Sequence, residues 1–215
     1  MNVPMPRLRH PEKSKKADSE IPRKPKWIRR KKIESAEYFE TRRLMRDHNL
    51  TTVCEEAACP NSGECWSTRH ATMMIMGEVC TRGCSFCNVS TGRPDALDTF
   101  EPGRVALAVK KLALRHVVIT SVDRDDLADG GAGHYAACVR AIRERSPRTI
   151  VETLIPDYAG EPLATLMTAE PDVLAHNVEV VDRLQRRIRD PRCSFERSLT
   201  TLREAKALQP RAFTK

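Results

Sequence analysis

Hydrophobic positions along the chain fall into short runs that alternate between two periods. Met73-Met74-Ile75-Met76 is a continuous apolar run leading into Cys80, and it predicts a short buried strand. From Glu101 to Leu114 the positions Val105, Val109 and Leu112 recur at helical spacing. Val117-Val118-Ile119 is β-branched and reads as a parallel strand buried on both faces. His134–Arg143 sets Tyr135, Val139 and Ile142 on one helical face with Cys138 beside them. Thr149-Ile150-Val151 predicts a strand, Leu163–Met167 a short helix and Val173-Leu174-Ala175 a further strand. Helices are predicted again over Val180–Ile188 and over Phe195–Leu208, the second with Phe195, Leu199 and Leu202 aligned. Alternation of this kind implies an α/β fold with a parallel sheet and helices packed outside it. It stops on a helix after four strands, so the fourth is expected at an unpaired edge. Four strands make an open sheet, since closing a barrel takes about eight.

Upstream of the alternation the pattern changes. Ser35–His48 predicts a helix with Tyr38, Leu44 and Met45 available for one face. Residues 51–70 are rich in Cys, Pro, Asn and Gly and read as an irregular loop organised by metal. Residues 1–32 hold 12 of the 37 Lys and Arg but only 3 of the 29 Asp and Glu. The other 183 residues are nearly balanced, so the net charge of +8 belongs to a tail. A solvated, disordered extension is the favoured reading of that tail, ahead of an arm that docks on an acidic surface. No basic face interleaved with aromatics follows it, so nucleic acid is not expected as a partner. No apolar run approaches the length of about 18 residues that would span a membrane, and Met1–Arg7 lacks the apolar core of a secretory signal. Glu12, Asp18, Glu20 and several prolines also suit an amphipathic presequence helix poorly. The expectation is a cytoplasmic protein with no membrane partner.

Cysteine changes the picture most. Six of the eight cysteines fall between positions 54 and 87, which points to metal or redox chemistry before disulfides. Cys80-Thr-Arg-Gly-Cys84-Ser-Phe-Cys87 has the spacing C-x₃-C-x₂-C. Iron–sulfur cubanes normally take four cysteines, so three in one loop hold three irons and leave the fourth open to a ligand. The strand before Cys80 delivers this loop to a strand's C-terminal end, where α/β sheets bind ligands. The alternative is zinc with a distant fourth ligand such as His70 or His116, although zinc sites usually divide their ligands between two pairs. With Phe86 directly before the last cysteine, the motif resembles that of the radical S-adenosylmethionine superfamily. The resemblance implies a 4Fe-4S cluster whose open iron is chelated by S-adenosylmethionine, with Phe86 packing near the adenine.

Cys54-Glu-Glu-Ala-Ala-Cys59-Pro-Asn-Ser-Gly-Glu-Cys65 has the spacing C-x₄-C-x₅-C. Lying just upstream of the first motif, it resembles the auxiliary-cluster segment of lipoyl synthases. Arg23-Lys-Pro-Lys-Trp27, Ile119–Leu127, Asp129-Gly-Gly131 and His176-Asn177-Val-Glu179 resemble further segments of that family. The resemblance implies radical sulfur insertion into an octanoyl chain carried on a protein lysine, forming the lipoyl group. Two 4Fe-4S clusters are implied: Cys80, Cys84 and Cys87 for the one that works with S-adenosylmethionine, and Cys54, Cys59 and Cys65 for a sacrificial sulfur donor. Unactivated C–H bonds are beyond side-chain acid–base work, so the cofactors carry that step. Ser121 and Asn177 are implied as S-adenosylmethionine contacts, with Gly130 and Gly131 allowing close backbone approach. Implied partners are octanoylated lipoyl domains of 2-oxoacid dehydrogenase complexes, the glycine-cleavage H protein, a ferredoxin or flavodoxin reductant and an iron–sulfur carrier. Cys138 reads as a buried structural thiol, Cys193 is given no role, and His48, His70, His134 and His176 form no recognisable base or ligand pair.

The resemblance also defines a departure. Family members run on for roughly a hundred residues, which ordinary domain sizes permit. That part holds the later strands of a partial barrel and an Arg-Ser-Ser-Tyr motif whose serine completes the auxiliary cluster; Glu196-Arg197-Ser198-Leu199 does not match it. The implied organisation is a tail over 1–32, a cysteine-rich extension over 33–71, and an incomplete TIM-type (β/α) barrel of about four βα units over 72–215. Three readings stay open: an active lipoyl synthase type, a truncated copy that binds clusters without turnover, and a non-enzymatic zinc-binding module. The expected open sheet edge favours the second for the isolated chain.

Overall fold

The computed structural model describes residues 35–215 apart from 49, 57, 58, 60 and 69. The basic tail over 1–32 and the segment Arg23–Trp27 lie outside the described residues. Helix α1, Ala36–Asp47, is capped by Ser35, whose Oγ accepts the Tyr38 N–H at 3.2 Å, and it buries Thr41 and Met45. The cysteine-rich stretch is not the irregular loop expected from composition. It forms strand β1 (Thr51–Thr52) and short helices α2 (Val53–Glu56) and α3 (Ser62–Ser67). The reason is a set of apolar anchors: Trp66 is buried and stacks on Tyr38 with ring centroids 5.0 Å apart, while Val53, Cys54 and Cys65 pack on the common core. Indole burial of this kind contributes about 3 kcal/mol and outweighs the weak propensity of so short a helix.

Strand β1 pairs antiparallel with β2 (His70–Ile75), Thr52 facing Met73. Strand β3 (Val79–Cys80) then pairs in parallel with β4 (Ser90–Thr91) as a small separate sheet. Helix α4 (Glu101–Lys111) leads to β5 (His116–Ser121), α5 (Ala132–Arg145) to β6 (Ile150–Leu154), and α6 (Glu161–Met167) to β7 (Val173–Ala175). A 3₁₀ turn, Asp182–Leu184, runs into α7 (Gln185–Ile188), and α8 (Phe195–Leu208) precedes β8 (Phe213–Thr214). The main sheet has the order β1-β2-β5-β6-β7-β8, with β2 through β8 parallel. The core lies between the sheet and the crossover helices, where Val105, Val109, Tyr135, Val139, Ile142, Leu163 and Leu166 are fully buried. Cys138 is buried with them, as its helical position predicts. The buried Tyr135 hydroxyl donates to the carbonyls of Ile119 and Leu154, tying two neighbouring strands together.

Three expectations are corrected. The fourth parallel strand is not an edge among the described residues, because β8 pairs with it in register Val173↔Phe213 and Leu174↔Thr214. Two residues are too few to show a strand period; what holds them is the ladder, with Lys215 N donating to Leu174 O at 2.9 Å. The continuous helix expected over Val180–Ile188 is a turn and one short helix. Val181 stays exposed there, and the Gln185 side-chain amide donates to the carbonyls of Val178 and Val180, which holds the backbone out of helix. The fully buried line of helix α8 is Ser198, Thr201 and Ala205, while the expected stripe Phe195, Leu199 and Leu202 is only half-buried beside it, Leu202 packing on the core. These small residues let it approach closely: Thr201 Oγ1 donates to Tyr158 O and Ser198 Oγ accepts from Arg189.

Candidate functional site

The site lies where the parallel strands end. Strand β2 stops at Met76 and Gly77, both with positive φ (66° and 92°), and this turn redirects the chain into β3 and Cys80. The Met76 turn is fixed from both sides: its N–H donates to Glu101 Oε2 at 2.9 Å, and its carbonyl accepts from Arg124 Nη1 at 3.2 Å. His134 Nε2 meets the same Glu101 oxygen at 2.7 Å, so that histidine belongs to the scaffold.

Cys80, Cys84 and Cys87 line one cavity of about 370 Å³, a size common for small-molecule sites. Phe86, Ser121 and Asn177 line it too, so the loop after β3 and the ends of β5 and β7 meet there. The remaining wall is largely apolar and includes Val53, Met74, Val89, Val122, Leu154 and Ile155. Three buried polar atoms in this wall make no hydrogen bond, Ser121 Oγ, His176 Nε2 and Arg189 Nε, although His176 Nε2 lies 3.6 Å from Asp157 Oδ1. His176 is only 6% exposed and its Nδ1 meets the Ile155 carbonyl at 2.9 Å, which makes Nδ1 the protonated nitrogen and leaves Nε2 a lone pair. Burial pushes the His176 pKa down, against the pull of the Ile155 carbonyl and the Asp157 carboxylate.

Backbone amides surround the cysteine sulfurs. Cys80 Sγ accepts from Arg82 N at 3.4 Å and Asp123 N at 3.3 Å, and Cys84 Sγ accepts from Asp190 N at 3.3 Å. Amide donors of this kind favour a charged sulfur and tune iron–sulfur centres. Burial nevertheless pushes the Cys80 thiol up to about 12, helped by the Asp123 carboxylate beside it. The Cys84 thiol is lowered, mainly because the Cys193 thiol donates to it. None of the eight cysteines is in a disulfide, and a soft donor set of three in one loop suits iron. Among the described residues no three His, Cys, Asp or Glu side chains converge on a single ion position.

A second segment clamps the cysteine loop. Ser85 N donates to Ile188 O at 2.9 Å, Gly83 N to Asp190 Oδ2 at 2.9 Å, and Arg192 Nη2 to Thr81 O at 2.7 Å. Cys193 ends this clamp and lines the same cavity. Charges interlock around it. Arg82 meets Asp125 at 2.8 Å, Asp123 at 3.2 Å and the buried Asp157 at 3.2 Å, and Arg189 meets Asp157 from the other side at 3.1 Å. Hydrogen bonding to Asp125 and the Asp123 charge hold the Arg82 guanidinium protonated despite its burial. Sequence reasoning missed Arg82, Asp157, Arg189, Asp190 and Cys193. The dense charges of Arg186–Arg192 are the signal that could have drawn attention.

Other expected residues go elsewhere. Gly130 and Gly131 do not line this cavity. They form the left-handed turn before α5, where a Cβ on Gly131 would collide with the Met76 sulfur and one on Gly130 would crowd Tyr158. Their glycine requirement is met by packing against protein. His70 and His116 pack together with ring centroids 5.9 Å apart at the N-terminal ends of β2 and β5. Cys80 lies beyond the opposite end of β2, on the order of 15 Å away, so neither histidine reaches the cysteine loop as a zinc ligand. Cys54 sits in α2, and burial raises its thiol pKa against the pull of the Thr72 N–H and the Trp66 indole. Its neighbours Val53 and Thr72 line the main cavity.

A family model for the radical SAM superfamily matches residues 74–214. Among solved structures the chain is similar to a methylornithine synthase (PylB), with a TM-score of 0.53 and 16% identity. That match covers 82% of this chain and 53% of the other, so the chain spans about half of that protein's length. At this identity the likeness speaks for the fold alone. No helix among the described residues is long and apolar enough to cross a membrane.

Proposed function

The chain belongs to the radical SAM superfamily, and from that premise we propose a lipoyl synthase-type sulfur insertion into a protein-bound octanoyl chain. The family implies a 4Fe-4S cluster with S-adenosylmethionine, and Cys80, Cys84 and Cys87 are the residues that would hold the iron. With both bound, the chemistry available is reductive cleavage of the sulfonium bond and hydrogen abstraction from an unactivated carbon. The observation that carries the finer reading is the border shared by the two cysteine motifs. Val53 and Thr72, on either side of Cys54, line the same cavity as the Cys80 loop. A second, sulfur-donating cluster on Cys54, Cys59 and Cys65 would therefore adjoin the substrate space.

The chain's own residues fit the remaining tasks. Ser121 Oγ, which makes no hydrogen bond within the protein, stands ready for a polar group of a bound cofactor, and Asn177 and Phe86 line the same cavity. Val53, Met74, Val89, Leu154 and Ile155 give an apolar wall suited to an alkyl chain and exclude water from it. Octanoylated lipoyl domains and H protein are the proposed substrates, and a ferredoxin or flavodoxin the proposed reductant. The test is anaerobic reconstitution followed by turnover with an octanoylated carrier. Lipoyl on the carrier lysine together with 5′-deoxyadenosine is expected. Deoxyadenosine formed without sulfur on the octanoyl chain would overturn the lipoyl reading and leave the family intact.

A further inference from the structure

We propose that Cys84 and Cys193 form an oxidation site, in which a peroxide joins the two sulfurs and takes Cys84 out of the cysteine triad. Only that last consequence rests on the reading of Cys84 as an iron ligand; the bond between the two residues does not.

The two cysteines are neighbours in the fold although they are far apart in sequence. Cys193 N donates to Asp190 O at 2.9 Å, Asp190 N donates to Cys84 Sγ at 3.3 Å, and Arg82 Nη1 approaches Cys193 Sγ at 3.4 Å. Their backbones are held together by the clamp, through Asp190 N to Cys84 Sγ, Asp190 Oδ2 to Gly83 N and Ile188 O to Ser85 N. With the two segments already joined by these bonds, a disulfide between them has little loop entropy to overcome. Both cysteines are partly exposed and line the open cavity, so a small oxidant reaches them. Cys80 is engaged differently, with its sulfur among two backbone amides and the Asp123 carboxylate. Nothing in the proposed reaction uses Cys193.

The step balances with one hydrogen peroxide. The Cys84 sulfur attacks one peroxide oxygen, the O–O bond breaks, and a sulfenic acid and one water result. The Cys193 sulfur then attacks Cys84 and displaces the hydroxyl, which leaves as a second water with the Cys193 proton. Two thiols are oxidised by two electrons and the peroxide is reduced by two. A dithiol reductant reverses the bond.

The test uses the full chain stripped of iron by a chelator. After treatment with hydrogen peroxide and alkylation of the remaining thiols, digestion without reductant is expected to yield a peptide pair linking the Cys84 and Cys193 segments. Iron uptake on later reconstitution should fall to about half that of the reduced chain, one cubane of two, and recover after dithiothreitol. The C193S variant should take up iron as the unaltered chain does, and peroxide should yield no such pair. Cys84 linked to Cys80 or Cys87 in the unaltered chain, with Cys193 alkylated, would overturn the proposal. A Cys84–Cys193 link in a chain that binds no iron even when reduced upholds the oxidation site and removes only its assigned consequence.

Discussion

The backbone N–H of Asp190 donates to the sulfur of Cys84 at 3.3 Å, across 106 positions of sequence. The Asp190 carboxylate takes the Gly83 N–H at 2.9 Å and is itself held by Arg192 at 2.8 Å. One residue thus fixes the middle of the cysteine loop from outside it.

Asp190 gives stability a defined acid dependence. Hydrogen bonding from Arg192, then from the Gly83 N–H, holds its carboxyl well below the usual carboxylate range. A depressed folded-state pKa stabilises above the unfolded value and is lost as pH falls towards the folded one. Urea midpoints should therefore decline below about pH 4, the unfolded aspartate value. The D190N variant should lose about 1–3 kcal/mol near neutrality and show a shallower decline in acid. Parallel slopes for the two proteins would show that the carboxylate charge does not matter.

Asp157 is 3% exposed and lies between Arg82 and Arg189. Asp157→Ala leaves both guanidinium groups short of a buried partner and should cost about 3–5 kcal/mol by denaturant unfolding. Glu196 and Arg203 form a still shorter pair, 2.9 Å, on the exposed face of α8. Glu196→Ala should leave the midpoint nearly unchanged. Equal effects from the two would contradict burial as the deciding factor.

Gly131→Ala places a methyl group against the Met76 sulfur at a φ of 87°. A cost of about 1–3 kcal/mol is expected in thermal or chemical unfolding. Adding Met76→Ala should recover the part due to collision and leave the part due to the dihedral angle. Costs of the two single variants that simply add in the double variant would assign the whole Gly131→Ala cost to backbone strain.

Reconstituted chain should carry about eight iron and eight sulfide, and Cys80→Ala or Cys87→Ala about four of each. On the proposed reading that the two triads hold separate clusters, Cys54→Ala should also halve the iron but spare reductive cleavage of S-adenosylmethionine. Iron analysis and deoxyadenosine assay separate these outcomes. Tight zinc with no iron uptake would remove both cluster assignments.

How much of this was legible in sequence depended on whether the signal was local. Strands β5 and β7 and helices α4 and α5 follow from apolar periodicity, and the Cys80 triad follows from its spacing. The two-residue strand β8 is too short for any period and depends on its neighbour for every hydrogen bond. Ser198, Thr201 and Ala205 carry no apolar signal, yet they form the buried face of α8 because small side chains permit close packing. Asp157 and Arg189 belong to no sequence motif; only the fold shows them buried as partners, with Arg82 on the other side of Asp157. Gly130 and Gly131 were recognisable as special, but whether a glycine yields to a ligand or to Met76 is a tertiary fact.

The clamp over residues 188–193 also orders events in time. While the chain is being synthesised, cysteines 80, 84 and 87 emerge about a hundred residues before Ile188, Asp190 and Arg192 exist to hold them. A nascent chain at that stage has the thiols but not the frame, and its sulfurs are open to any passing metal or oxidant. Orderly cluster loading at this loop therefore belongs after chain growth past Cys193, and a chaperoning or scavenging demand falls on the interval before it.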